Sequence, residues 1–133
     1  MKEENIIKDK SFAFAMRIVK LYNYLTKEKK EFVLSKQVLR SGTSIGANIR
    51  EALAGQTKPM FVAKLNIALC EANETDYWID LLNATEYLAD NEIQTLKEEC
   101  VELIKLLTSI IKKTRENLKD SETCRMAILH STL

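Results

Sequence analysis

The feature that most constrains the fold of this chain is a helical repeat of apolar residues, which recurs at intervals of three and four over four long segments. In the last segment the spacing continues without a break from Ile93 to Ile110. Such spacing places the apolar side chains along one face of an α-helix. Only one proline and three glycines occur in 133 residues, so little interrupts these helices. The sequence therefore predicts an all-α protein.

Four long helices joined by short turns are typical of an antiparallel up-and-down four-helix bundle. We predict one domain over residues 1–119 and a short C-terminal tail over residues 120–133, which is either disordered or a short helix. Ser35 is the predicted N-cap of the second helix. Asn91 and Gln94 have the spacing of a capping box at the start of the fourth helix. The buried faces supply a core that needs no metal or cofactor to fold.

Complementary charges place the second and third predicted helices side by side. If the two helices are antiparallel, residues whose numbers sum to about 115 lie opposite each other. This rule predicts contacts of Arg40 with Glu74, of Glu51 with Lys64, and of Glu71 with Ser44 or Asn48. We call these residues, together with Trp78, the polar ladder. The ladder either fixes the register of the two helices or lines a groove for a partner or ligand.

Gly42 and Gly46 lie one helical turn apart on the other flank of the second helix. Each glycine costs about 1 kcal/mol relative to alanine in a helix interior, so a compensating contact is expected. The sequence predicts a close approach of the first helix there, near Ala15 and Tyr22, and a Gly46→Leu change should disrupt folding or assembly. The glycines lack the spacing of a phosphate-binding loop.

On the first helix, Phe12, Met16 and Val19 point away from the predicted core. They indicate either imperfect amphipathicity or a surface through which the protein forms an oligomer.

The charge balance does not favour a strongly basic nucleic-acid binder. Lysine and arginine number 20 against 19 acidic residues, which gives a formal net charge of +1. The charge is uneven, however, because one end of the predicted bundle is net positive. That end includes four candidate nucleic-acid contacts, Lys112, Lys113, Arg115 and Lys119. Such polarity could steer an RNA backbone, and solvated helix ends explain it equally well.

The search for catalytic and metal-binding patterns finds none. Cys70, Cys100 and Cys124 are odd in number and widely spaced, which favours reduced structural thiols, with Cys100 in the core. The only histidine, His130, is in the predicted tail, so no Glu-x-x-His metal motif and no base for a nucleophile are present. We therefore predict a protein that is not an enzyme and uses no metal, cofactor or small-molecule substrate. No membrane-spanning or secretory segment is recognisable, so we expect a cytoplasmic protein.

Two runs, QVLRSGTSIGANIREA and KLNIALCEANETDYWIDLL, resemble the signature of the family named after the 23S rRNA intervening-sequence protein, which is also described as ribosomal-protein-like. The resemblance extends over residues 12–113. It implies a four-helix bundle that assembles into a ring-like homo-oligomer, a pentamer, without established enzyme activity. A related accessory protein of diversity-generating retroelements is similar in fold and is thought to bind nucleic acid. The motif positions carried over are Arg40, Ser41, Ser44, Asn48, Glu51, Lys64, Glu71, Glu74 and Trp78.

Two hypotheses about function follow from the sequence. The first is a non-enzymatic, self-associating four-helix bundle. The alternative is an oligomeric accessory protein that binds RNA or another nucleic acid or associates with the ribosome.

Overall fold

The computed structural model describes the backbone of residues 2–131 and the side chains of residues 2–119. Four helices make up this part of the chain: α1 (Lys2–Lys27), α2 (Leu34–Ala54), α3 (Lys58–Ala84) and α4 (Asp90–Ser131). Each helix packs on the next, and α4 returns to pack on α1. The fold is the all-α, up-and-down four-helix bundle that the apolar repeat predicts. No helix in the described chain is apolar enough over a sufficient length to cross a membrane.

One apolar core runs along the bundle and takes side chains from all four helices. The spacing of three and four in α4 is fully used, because Ile93, Leu96, Cys100, Leu103, Leu107 and Ile110 are all buried. Helical spacing in the sequence predicts Phe61 and Leu65 on the buried face of α3, but Phe61 is only half-buried and its neighbour Val62 is buried instead. The core is thus built from the predicted stripes, with a shift of one residue at the start of α3.

The start of α2 differs from the prediction. Val33 occupies the N-cap position and makes no side-chain capping bond. Ser35 is not the cap: it lies inside the helix, and its buried hydroxyl has no hydrogen-bond partner among the described residues. Instead, the Glu31 carboxylate accepts hydrogen bonds from the backbone amide groups of Val33, Leu34 and Ser35, at 2.8–3.2 Å. The carboxylate of Glu31, in the turn before α2, therefore satisfies amide groups at the start of the helix, which is the role that the sequence assigned to a serine cap.

The predicted capping box of α4 is also absent. The helix begins at Asp90, before Asn91. The Asn91 side chain accepts a hydrogen bond from the amide of Glu92 at 2.9 Å, and the Gln94 side chain donates to Glu98 at 3.0 Å. Neither side chain therefore makes the bond to the other residue's backbone amide that a capping box requires. Because the helix already includes Asn91, the reciprocal geometry of the box cannot form.

The two glycines of α2 do face α1, but not at Ala15 and Tyr22. A Cβ on Gly42 would come within 2.8 Å of Ile18, and a Cβ on Gly46 would lie 3.4 Å from the carbonyl oxygen of Ser11. The glycines therefore meet buried residues of α1, because the missing side chains let α2 approach the centre of that face.

The bounds of α4 include most of the predicted tail, residues 120–133, since the helix runs to Ser131. The side chains of that segment lie outside the described residues. The domain boundary at residue 119 stays a prediction.

Candidate functional site

The polar ladder joins α2 to α3 through one arginine. The Arg40 guanidinium donates to the carboxylate of Glu74, and its other terminal nitrogen lies 3.2 Å from the carboxylate of Glu71. The Trp78 ring nitrogen donates to the same Glu74 carboxylate at 3.2 Å. The predicted contact of Arg40 with Glu74 is thus present. A planar guanidinium with several donors can bridge two carboxylates that lie one helical turn apart.

Nearer the turn between α2 and α3, the predicted contact of Glu51 with Lys64 is present as well, at 3.1 Å. The third predicted contact is wrong. Ser44 donates to the carbonyl of Arg40 at 2.8 Å, and the Asn48 amide donates to the carbonyl of Ser44 at 2.9 Å. Both side chains bond within α2, because short polar side chains readily donate to the backbone carbonyl one helical turn earlier, so they do not bond Glu71 of α3.

A buried hydroxyl pair lies beneath the ladder. The side-chain oxygens of Ser41 and Thr75 are 2.9 Å apart and both residues are fully buried, while Thr75 also lies 2.7 Å from the carbonyl of Glu71. In the sequence, Thr75 has the helical spacing of the buried face of the third helix, whereas Ser41 is marked only by the family motif. Two small polar residues on facing buried positions are the signal that could have revealed this contact.

The charged side chains of the polar ladder pair with one another, so the geometry of the ladder fits a role in fixing the register of α2 against α3.

A second ionic contact, which the sequence did not predict, joins α3 to α4. Lys97 lies 2.7 Å from Asp80 and 3.0 Å from Asp76. Its hydrogen bond to Asp80 raises the pKa of the Lys97 ammonium, partial burial opposes the shift, and Asp76 adds to it. Two carboxylates on one face of α3 at a spacing of four residues could have indicated a shared cation.

Cys100 is a core residue, as its position in the repeat predicts. Its sulfur lies 3.3 Å from the carbonyl oxygen of Ala72. Burial, together with the nearby Asp76 carboxylate, raises the pKa of the Cys100 thiol to about 12. The thiol is therefore protonated at neutral pH and is a poor nucleophile. The side chains of Cys124 and His130 lie outside the described residues.

The outer face of α1 carries the three apolar residues that the sequence singled out. Phe12, Met16 and Val19 are 51%, 49% and 44% exposed. The guanidinium of Arg50 on α2 lies 5.1 Å from the centre of the Phe12 ring. Ala47, one helical turn before Arg50 on α2, is also exposed. We call Phe12, Met16, Val19 and Ala47 the α1 face.

Three of the four candidate nucleic-acid contacts line one groove. Lys112, Arg115 and Lys119 border an open groove of about 490 Å³ between α3 and α4. Lys113 points the other way and lies 2.8 Å from Glu3 on α1. The remaining residues that line this groove, which we call the α3–α4 groove, are Asn66, Leu69, Thr108, Ile111, Glu116 and Leu118.

No group of three or more histidine, cysteine, aspartate or glutamate side chains able to hold a metal occurs among residues 2–119.

The comparisons with known proteins agree on one family. The family model described as 23S rRNA-intervening sequence protein matches residues 3–109. A crystal structure of a protein of unknown function from the S23 ribosomal protein family of Bacteroides thetaiotaomicron VPI-5482 superimposes with a TM-score of 0.81. It is 57% identical to this chain, and the match covers 83% of this chain and 98% of that one. No curated protein matches the chain. Neither the family's description nor that of the neighbour names an enzyme activity. This chain belongs to the 23S rRNA-intervening sequence protein family.

Proposed function

We propose that this protein is a cytoplasmic, non-enzymatic helical bundle that associates with further copies of itself. The observation that carries the proposal is the α1 face. Three large apolar side chains at positions i, i+4 and i+7 form a continuous exposed stripe, although the opposite side of the same helix already supplies the core. Contiguous apolar surface of this kind marks interaction sites on proteins.

The composition of the α1 face also fits an interface. Phenylalanine and methionine, two of its four residues, are enriched in protein interfaces. The contact of Arg50 with Phe12 holds that aromatic ring in place before any partner binds. Ala47, one helical turn before Arg50, is small and exposed. The resemblance seen in the sequence implies a ring of five copies as the stoichiometry.

Light scattering after size-exclusion chromatography tests self-association. At tens of micromolar protein we expect a particle about five times heavier than the 15.2-kDa chain. A monomer under these conditions would overturn the proposal.

A matched pair of variants tests the surface. Met16 and Met60 are 49% and 52% exposed, and they lie on α1 and α3 respectively. Met16→Glu should shift the protein towards monomer because it places a charge in a desolvated interface. Met60→Glu, the same chemical change, should leave the mass unaltered. If Met16→Glu keeps the full oligomer mass while remaining folded, the α1 face is not the interface.

A second candidate function is the binding of RNA at the α3–α4 groove. It is supported by Lys112, Arg115 and Lys119, for which no acidic partner occurs among the described side chains, and by the reference to 23S rRNA in the name of the family. A gel-shift series with a structured RNA should show binding that weakens steeply as salt rises, because counterion release drives phosphate contacts. Absence of binding at low salt would remove this candidate.

A further inference from the structure

We infer that the α3–α4 groove is a docking site for an acidic amphipathic helix of a partner protein. The inference does not depend on self-association, because it concerns a different surface from the α1 face.

The floor of the groove is apolar. Leu69 of α3 and Leu118 of α4 are half-buried and flank the buried Ile111. These side chains already pack against the core, so they are held in position before a ligand arrives. A furrow between two packed helices, with a floor of aliphatic side chains, is the shape that the apolar face of a third helix fills.

The border of the groove is basic. Lys112, Arg115 and Lys119 follow one another at i, i+3 and i+7 along α4, which spaces their ends over about 10 Å of helix. All three are exposed, and no ion pair joins them to a described acidic side chain. Glu116 is the one acidic residue in the lining. A row of cations at helical spacing complements a row of glutamates or aspartates at the same spacing on a partner helix.

The apolar floor distinguishes this partner from nucleic acid. Phosphate contacts need cations but no aliphatic surface, since they are made to the charged backbone. A helix with leucines on one face and carboxylates beside them uses both features at once. The charges would set the orientation and the rate of association, and burial of the leucines would supply much of the affinity.

Designed peptides test the inference on the full-length chain. The probe is a fluorescein-labelled helical peptide of about 18 residues with leucines at i, i+3, i+4 and i+7 and glutamates beside them. A control peptide keeps the glutamates and replaces the leucines with glutamine, and a second control replaces the glutamates with lysine. Fluorescence anisotropy should show saturable binding of the first peptide, at least about tenfold tighter than either control.

Protein variants locate the binding site. Arg115→Glu with Lys119→Glu should weaken binding of the acidic peptide by at least about tenfold. Lys20→Glu with Lys36→Glu makes the same change in net charge on exposed residues of α1 and α2, and should leave the affinity unchanged. Circular dichroism verifies that both proteins are folded.

Four results would overturn the inference. The first is equal binding of the leucine and glutamine peptides, which would show charge attraction alone. The second is equal loss of affinity in both charge-reversal variants. The third is binding of an RNA hairpin, lost in Arg115→Glu with Lys119→Glu, without any binding of the peptide. The fourth is dissociation of the protein oligomer by that same double variant, which would identify the occupant as a second copy of this chain. Retention of the oligomer together with loss of peptide binding supports the inference and leaves the proposed self-association unaffected.

Discussion

At the scale of single residues, Glu31 shows how one side chain stabilises the start of a helix. Lys30 adopts a left-handed backbone conformation with φ of 53°, and the next residue then turns its carboxylate towards α2. That carboxylate accepts hydrogen bonds from the backbone amides of three successive residues. Amide groups at the start of a helix otherwise have no partner within the helix. The negative charge also lies at the positive end of the helix dipole. Glu31 is therefore placed to stabilise α2 through its hydrogen bonds to the first turn of the helix.

The pKa of Glu31 is affected by two opposing causes. Burial raises the pKa of its carboxyl, but the backbone hydrogen bonds from Ser35, Leu34 and Val33 favour the ionised form and bring it below its ordinary value of 4.5. A lowered pKa in the folded state means that the carboxylate stabilises the fold at pH values above 4.5. The stabilisation is lost as the pH falls through the lowered pKa.

We predict that Glu31→Gln lowers the free energy of unfolding by about 1 kcal/mol at neutral pH, since the charged acceptor is replaced by a neutral one. Urea unfolding of both proteins across a pH series measures the difference. It should be constant from neutral pH down to about 4.5, the ordinary value of the Glu31 carboxyl, and then shrink as the pH falls through the lowered pKa of the folded state. A difference that stays constant throughout would mean that the charge of Glu31 does not matter.

At the scale of helices, the two glycines of α2 are not equivalent. Gly42 faces the branched carbons of Ile18, which cannot swing away from an added methyl group, whereas the nearest atoms to Gly46 lie at ordinary contact distance. Alanine gains about 1 kcal/mol over glycine in a helix interior. At Gly42 that gain competes with overpacking, which costs about 1–3 kcal/mol.

We therefore predict opposite signs for the two alanine substitutions. Gly42→Ala should lower the free energy of unfolding by up to about 2 kcal/mol, and Gly46→Ala should leave it unchanged or raise it by up to about 1 kcal/mol. Chemical denaturation of both variants measures this. Gly46→Leu remains disruptive, because its longer side chain must extend into the backbone of α1 at Ser11. Equal destabilisation by the two alanines would contradict the difference in packing.

The contacts between α2 and α3 lead to a double-mutant cycle. We predict that Arg40→Ala costs more than Glu74→Ala, because loss of Arg40 leaves two carboxylates one turn apart without their shared cation, whereas loss of Glu74 leaves Arg40 bound to Glu71. The coupling energy of Arg40 with Glu74 should be about 0.5–1 kcal/mol, as expected for a partly exposed pair. Denaturant midpoints of the single and double variants measure it. Strictly additive losses would show that the pair contributes nothing.

The ladder also shows what sequence can and cannot predict at this scale. Arg40 with Glu74 and Glu51 with Lys64 were predictable, because helical spacing and antiparallel packing fix which flanks meet. The bonds of Ser44 and Asn48 were not, since the spacing does not show whether a short polar side chain bonds a carbonyl group of its own helix or a residue of the neighbouring one. The role of Glu31 was not predicted, because it depends on the left-handed backbone conformation of Lys30. Glycine or asparagine usually marks such a conformation in a sequence, and neither occurs at this position.

At the scale of the whole molecule, one core serves all four helices, so the fold should open as a single unit. Cys100 of α4 reports on this opening, because it is completely buried against α3 and its thiol has a pKa of about 12. A buried, protonated thiol reacts with a labelling reagent only when the surrounding structure opens. The exposed Cys70 on α3 should react at once.

We predict that Cys100, in a Cys70→Ser and Cys124→Ser background, is labelled only through global unfolding. The free energy of opening obtained from labelling rates should equal the free energy of unfolding obtained from denaturant, since no smaller motion separates α3 from α4 at this depth of the core. If the chain assembles through the α1 face as we propose, the rates should also fall as protein concentration rises, because assembly would stabilise the folded chain by mass action. Met16→Glu should abolish that concentration dependence and leave labelling at low concentration unchanged. Fast labelling of Cys100 in the absence of denaturant would show that the α3–α4 contact opens on its own.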